Sequence, residues 1–470
     1  MTFTTIEFLV LFGTTCLLYF PQPRGRQNVV VLVAGLVFYG WWDWRFLFLI
    51  FATTAVDYIC AIRIHEATSE KRRTAFLATA LLINLGVLAV FKYLDFFIRS
   101  TSDVIRYAGG TPNLPLLNLV LPLGISFYTF HALSYTVDVY RRQGVVERNY
   151  LLYLSFVMFF PLLVAGPIER AWHLIPQFKV DRVITAAKVR SGLLLCAGGF
   201  VKKIVFADNV AAIANYGFDD APGHGALHLL AVYAFAVQIY CDFSAYSDIA
   251  RGTARILGFE VFQNFNLPYL TTNPREFWRA WHISLSSWFR DYVYIPLGGN
   301  RGARWQTLRN LAVTMLLCGL WHGAAWVYVL WGAFHGLLFA VYELGSRSAA
   351  GRWMSARTGG FLHAVKSLVF FQLVCAGWLL FRSNSVGQAV TMLRSIVLDF
   401  SVDASIVNLA LKLAFFAVPL LLVQISQRRF GLAPWDHWQT EFQVLALAAA
   451  VVFVVLLGAP NRAPFIYFQF

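Results

Sequence analysis

Long apolar runs separated by short polar connectors make up most of this chain. They fall at 6–20, 28–42, 46–62, 74–97, 151–165, 191–207, 229–248, 308–321, 324–343, 364–381, 406–425 and 444–459. A helix crosses a bilayer with about 20 mostly apolar residues. The runs therefore predict an all-α, polytopic membrane protein with about eleven spans by that rule, some of them short, tilted or re-entrant. The first run has no basic stretch ahead of it and no small-residue cleavage site, so it reads as a retained helix. Arg63, Lys71, Arg72 and Arg73 place the loop after 46–62 in the cytoplasm, and counting back three spans puts the N-terminus outside.

Composition supports the pattern. The chain is 59% hydrophobic and 13% charged, with mean hydropathy +0.61, whereas a soluble domain is about a quarter charged. A single integral-membrane domain over 1–470 is expected. The net charge of +14 fits basic cytoplasmic loops, which also attract anionic lipid or an anionic donor. The basic residues are scattered between spans, so nucleic acid is not an expected partner. All six cysteines lie in apolar runs without a close pair, which argues against a disulfide framework or zinc knuckle. His224 and His228 stand four apart beside Pro222, Gly223 and Gly225, with no third ligand nearby, so no metal site is expected.

Two regions break the apolar pattern. The run 229–248 ends with Gln238, Tyr240, Asp242, Ser244, Tyr246 and Asp248, just before Arg251 and Arg255. Carboxylates at membrane depth are costly unless paired or wet. Either they pair with the nearby arginines as architecture, or Asp242 and Tyr246 face a substrate path. Lys202 and Lys203, at the end of 191–207, are expected to snorkel to the interface.

The second region, 269–323, is too aromatic for a soluble loop and too charged for a spanning helix. It fits a segment lining a cavity within the membrane. With Asn273 as cap and Pro274 at the first position, a helix is predicted over 274–292. Arg275, Arg279, His282, Ser286 and Arg290 then share one narrow sector, and Phe277, Trp281, Trp288 and Tyr292 another. An interfacial helix explains most of this, but not a histidine with an arginine one turn away on either side. Those arginines would depress its pKa and keep the imidazole neutral. Trp281, Ser286 and Arg290 are the candidate substrate contacts beside it. His322 follows an apolar run and Trp321, also a candidate contact, and precedes Gly323, Ala324 and Ala325. Small residues there would leave room for a substrate or another chain. A neutral buried histidine is a good general base, worth typically about 10²–10⁴ in rate. His335 would lie on the opposite side of a continuous helix and reads as structural.

The runs LPLGISFYTF, AGPIER, QIYCDFSAYSDIA, NFNLPY, FWRAWHISLSSWFRDYVYIPLGGNR and GLWHGAAWVYVLWGAFHG resemble the membrane-bound O-acyltransferase (MBOAT) family. They are nearest its bacterial alginate O-acetylase (AlgI) branch, with the teichoic-acid D-alanyl transfer protein DltB more distant. They span about 122–336 within an expected core of about 122–345, and the final IYFQF also fits. The resemblance implies the MBOAT fold, about eleven spans around a central tunnel, with His322 as the family histidine and His282 as the second histidine of the bacterial branch. It implies transfer of an acyl group, acetyl above all, from a cytoplasmic thioester such as acetyl-CoA to a hydroxyl on the outer face. The acceptor would be an exported polysaccharide or a periplasmic partner protein, and the setting a bacterial cytoplasmic membrane. No permanently bound cofactor is implied. His322 would serve as general base or assist an acyl relay, and His282 would orient the acyl group or stabilise its oxyanion. His131 stands where relatives usually carry Gln, and Cys241 where they usually carry an aromatic. The rival reading is a transporter or channel passing an acyl group or small solute without chemistry. Asp242, Asp248 and the arginines suit it, and the lack of internal repeats counts against it.

Overall fold

The computed structural model describes residues 1–164, 166–220, 224–346, 348 and 359–468. Ala165 of AGPIER, Pro222 and Gly223 beside His224, and the last two residues of IYFQF lie outside them. All regular structure among the described residues is helical. Among the described residues, seven helices are long and apolar enough to cross a membrane: Arg45–Glu66, Glu70–Tyr107, Gly225–Ile256, Trp326–Gly345, Gly360–Arg382, Ala404–Phe430 and Thr440–Leu457. The shorter Ile6–Tyr19 and Val386–Leu398 are also apolar. The chain is thus a multi-pass membrane protein. Several other apolar runs form helices that are shorter, interrupted or more polar than this length and composition requirement allows. The run 151–165 is helical only over Tyr150–Val157, ahead of Pro161, which cannot continue a helical ladder. Exposed Leu411, Phe415, Leu445 and Leu456 suit contact with lipid tails.

The described chain forms two compact units. The first comprises Met1–Gly192 and Ala250–Phe262. Its centre is Ile125–Tyr140, with 14 of 16 residues buried. Gly124 starts that helix with φ 69°, and a Cβ there would lie 2.4 Å from the Leu163 carbonyl oxygen, so only glycine fits. On the helix, His131 Nε2 accepts the Glu169 N–H at 3.0 Å. Glu169, 0% exposed, in turn bonds His173 Nδ1 at 2.7 Å and accepts the Phe262 N–H. His131 is thereby tied into the AGPIER turn through the Glu169 backbone.

The second unit comprises Leu193–Ile249 and Gln263–Phe470. Arg304–His322 and Trp326–Gly345 form its tightest hairpin. A Cβ on Gly319 would meet the Tyr328 carbonyl oxygen at 2.2 Å, and one on Gly332 the Met315 carbonyl oxygen at 2.3 Å. Small residues at both crossings let the backbones touch, as packed membrane helices require. The chain turns at Gly323, so His322 and His335 sit on two antiparallel helices and not on one continuous helix as expected. His335 is buried, with Trp278 Nε1 donating to its Nδ1 at 3.4 Å; the tight turn, invisible to a 3.6-residue period, redirects it.

Lys203 does not snorkel. It is 2% exposed and pairs with Asp208 at 2.8 Å and Asp242 at 2.9 Å. Lys202 pairs with Asp248. The two carboxylates have thus drawn in lysines from a different helix, where the nearby arginines Arg251 and Arg255 were the expected partners. Isolated charges in a dry interior are too costly for any other arrangement.

Candidate functional site

The predicted helix over 274–292 is broken at the histidine. Pro274–Ala280 ends ahead of Trp281, and Ile283–Phe289 begins after His282. His282 itself adopts the left-handed conformation, φ 43° and ψ 54°, which a non-glycine residue takes up only when its surroundings enforce it. Asn264 enforces it here. Its carbonyl accepts the Ile283 N–H at 2.9 Å, and its side-chain oxygen accepts a hydrogen bond from Ser284 Oγ at 2.6 Å. Asn264 Nδ2 donates to Ser247 Oγ at 3.1 Å, which pins the break to the helix Gly225–Ile256.

The break abolishes the shared cationic face. Ser286 Oγ donates to the Trp281 carbonyl at 3.1 Å, and exposed Arg290 pairs with Asp291 at 2.7 Å. His282 is 0% exposed, with its ring 4.5 Å from Phe243, edge to face. Its pKa is held below the usual imidazole value by burial. The expected cause, flanking arginines, is replaced by desolvation, because both arginines are exposed. Neither ring nitrogen of His282 has a hydrogen-bond partner among the described residues. Leaving such a group unmatched costs about 1–3 kcal/mol.

His322 ends Arg304–His322 and faces the same space. Its ring centre lies 6.4 Å from that of His282, 5.0 Å from Trp331, 5.3 Å from Phe381 and 5.7 Å from Tyr467. Trp321 joins the group, 5.9 Å from His282. Room beside His322 does not come from Gly323: a Cβ there would meet the Tyr328 ring at 2.1 Å, so that space is already filled. The two histidines thus sit in a mostly aromatic chamber in which any hydrogen bond is strengthened by the low dielectric.

The other candidates lie around this chamber. The Trp281 ring packs 4.8 Å from Trp378 and 5.7 Å from Phe277. Tyr246 stacks on Phe465 at 3.9 Å, and Asp242 accepts the Ile466 N–H at 2.8 Å. The described residues around the start of the IYFQF run turn inward. Phe465 and Ile466 are buried, and Tyr467 reaches both histidines, 6.3 Å from His282. Sequence reasoning assigns no role to Tyr467, Asn264, Trp331 or Phe381. The signal for Asn264, Trp331 and Tyr467 is their place in the NFNLPY, GLWHGAAWVYVLWGAFHG and IYFQF runs. His224 engages Ser401 Oγ at 3.0 Å, and no group of three or more His, Cys, Asp or Glu among the described residues could hold a metal ion.

Comparison with known proteins points in the same direction. The MBOAT, membrane-bound O-acyltransferase family, model matches residues 39–371. The chain is 41% identical over 395 residues to a probable alginate O-acetylase AlgI of Pseudomonas aeruginosa, covering 83% of this chain and 74% of that protein. It is 30% identical over 436 residues to a peptidoglycan O-acetyltransferase of Helicobacter pylori, covering 83% and 80%. A teichoic acid D-alanyltransferase of Bacillus subtilis is 30% identical over 298 residues, covering 58% and 71%.

Proposed function

The chain belongs to the membrane-bound O-acyltransferase family, and from that premise we propose that it moves an acetyl group from a cytoplasmic thioester, acetyl-CoA, to a hydroxyl at the outer face of a bacterial cytoplasmic membrane. That it is an O-acyltransferase follows from the family and its O-acetyltransferase relatives. The proposed acceptor is an exported polysaccharide or a periplasmic protein that passes the group on. Relatives named for alginate, peptidoglycan and teichoic acid support an exported acceptor.

The observation that carries the reading is the pair of buried imidazoles. His282, without a hydrogen-bond partner among the described residues, stands 6.4 Å from His322 in an aromatic chamber. In this reading His322 takes the proton of the acceptor hydroxyl as its oxygen attacks the thioester carbonyl. His282, neutral because it is buried, donates its one N–H to the oxygen that gains charge, and the carbonyl re-forms as the thiolate leaves. The proton held on His322 then neutralises that thiolate. Neutral imidazoles suit both roles, since each offers one donor and one acceptor nitrogen. Trp321 and Tyr467 would flank the acyl group. Exposed arginines such as Arg279 and Arg290 would meet the donor's phosphates.

Purified protein in nanodiscs with acetyl-labelled CoA tests the reading. Label appearing on a soluble polysaccharide or protein acceptor supports it. Thioester left intact while a solute crosses the membrane would favour transport instead.

A further inference from the structure

We propose that Lys203 is a positioning residue for acyl transfer: with Asp208 and Asp242 it clamps the 463–467 segment and so holds Tyr467 against the two histidines. The proposal rests on the function given above for His282 and His322. Lys203 Nζ has three donors and three acceptors in reach: Asp208 Oδ1 at 2.8 Å, Asp242 Oδ1 at 2.9 Å and the Ala463 carbonyl at 2.9 Å. The other oxygen of Asp242 accepts the Ile466 N–H at 2.8 Å. One buried ion triad therefore grips a single short segment at two backbone points, three residues apart.

A purely stabilising role explains this triad poorly. Buried ion pairs are often no more stable than well-packed apolar residues of the same volume, and their best-attested use is to specify one arrangement over others. The arrangement specified here is visible. Phe243, the next residue after Asp242, packs 4.7 Å from Tyr467 and 4.5 Å from His282. Tyr246, one turn on, stacks on Phe465. Upstream, the Ala459 N–H donates to the Ile204 carbonyl at 3.1 Å, and Asn209 Nδ2 donates to the Leu457 carbonyl at 2.8 Å. The 201–209 stretch thus steers the chain from the end of Thr440–Leu457 back to the chamber. The helix carrying Asp242 supplies both the clamp and the ring against His282.

The test is hydrogen-exchange mass spectrometry of the full chain in nanodiscs, combined with acyl-transfer kinetics, for Lys203→Met, Lys203→Arg and Asp242→Asn. The clamp predicts that amides in 459–467 exchange about tenfold or more faster in Lys203→Met, while Arg304–His322 and Trp326–Gly345 keep their protection. It also predicts a lower kcat with little change in KM for the thioester, and partial recovery of both readouts in Lys203→Arg. If Lys203→Met does not insert, Asp242→Asn carries the same expectations with side-chain volume kept. Unchanged exchange in 459–467 overturns the proposal, as does faster exchange with undiminished transfer. His322→Ala serves as the control: it should leave 459–467 protected, so a failure of the proposed chemistry is told apart from a failure of the clamp.

Discussion

The Tyr467 ring lies 5.7 Å from the His322 imidazole, centre to centre and tilted by 40°. Residues far apart in the chain thus build one wall of the candidate site. Removing that wall should expose the histidines to water and loosen the acyl group. Tyr467→Ala is expected to lower acyl transfer at least about tenfold, equivalent to about 1.4 kcal/mol, as read with labelled acetyl-CoA on protein that still inserts. Unaltered transfer would show that the ring is packing alone.

Asn264 decides where the helix breaks. Asn264→Ala removes the side-chain bonds to Ser284 and Ser247 in a buried setting. A loss of about 1–3 kcal/mol for the unmatched groups is expected, with transfer falling further than stability because His282 moves. Thermal unfolding and kinetics on the same preparation separate the two effects.

The hairpin of Arg304–His322 and Trp326–Gly345 admits no side chain at its crossings. Gly319→Val should prevent correct folding, because its Cβ would fall 2.2 Å from a backbone oxygen. A Cβ on Gly198 would meet nothing within 4 Å, so Gly198→Ala should be tolerated and should stabilise its helix by up to about 1 kcal/mol. Expression and size-exclusion profiles in detergent check the contrast.

A pH dependence of stability is expected from the turn joining Glu169 and His173. The Glu169 hydrogen bond raises the His173 pKa, and burial raises that of Glu169. A folded-state pKa above the unfolded one gives stability that is complete below the unfolded value and is lost as pH rises through the folded one. The melting temperature should therefore fall as pH rises above the ordinary histidine value of about 6.5, and His173→Gln should flatten that slope.

The aromatic runs around His282 and His322 are legible in the sequence because their composition suits neither water nor lipid, and the helical fold is legible from apolar length alone. The break at His282 is not, since it depends on Asn264, a residue outside the window over which helical periodicity is read. The partner of Asp242 escapes the sequence for a related reason: proximity along the chain favours Arg251 and Arg255, whereas Lys203 reaches it from another helix. Tyr467 is equally hidden, because an aromatic end segment normally belongs at the headgroups; its return to the chamber is a tertiary event held by the ion triad.

The central claim is that a neutral imidazole at position 322 takes a proton from the acceptor hydroxyl. The most direct measurement is transfer of labelled acetyl from acetyl-CoA by purified His322→Ala in nanodiscs, beside wild type. The account predicts normal insertion and melting, with transfer reduced by about 10²–10⁴. Transfer at the wild-type rate would contradict it.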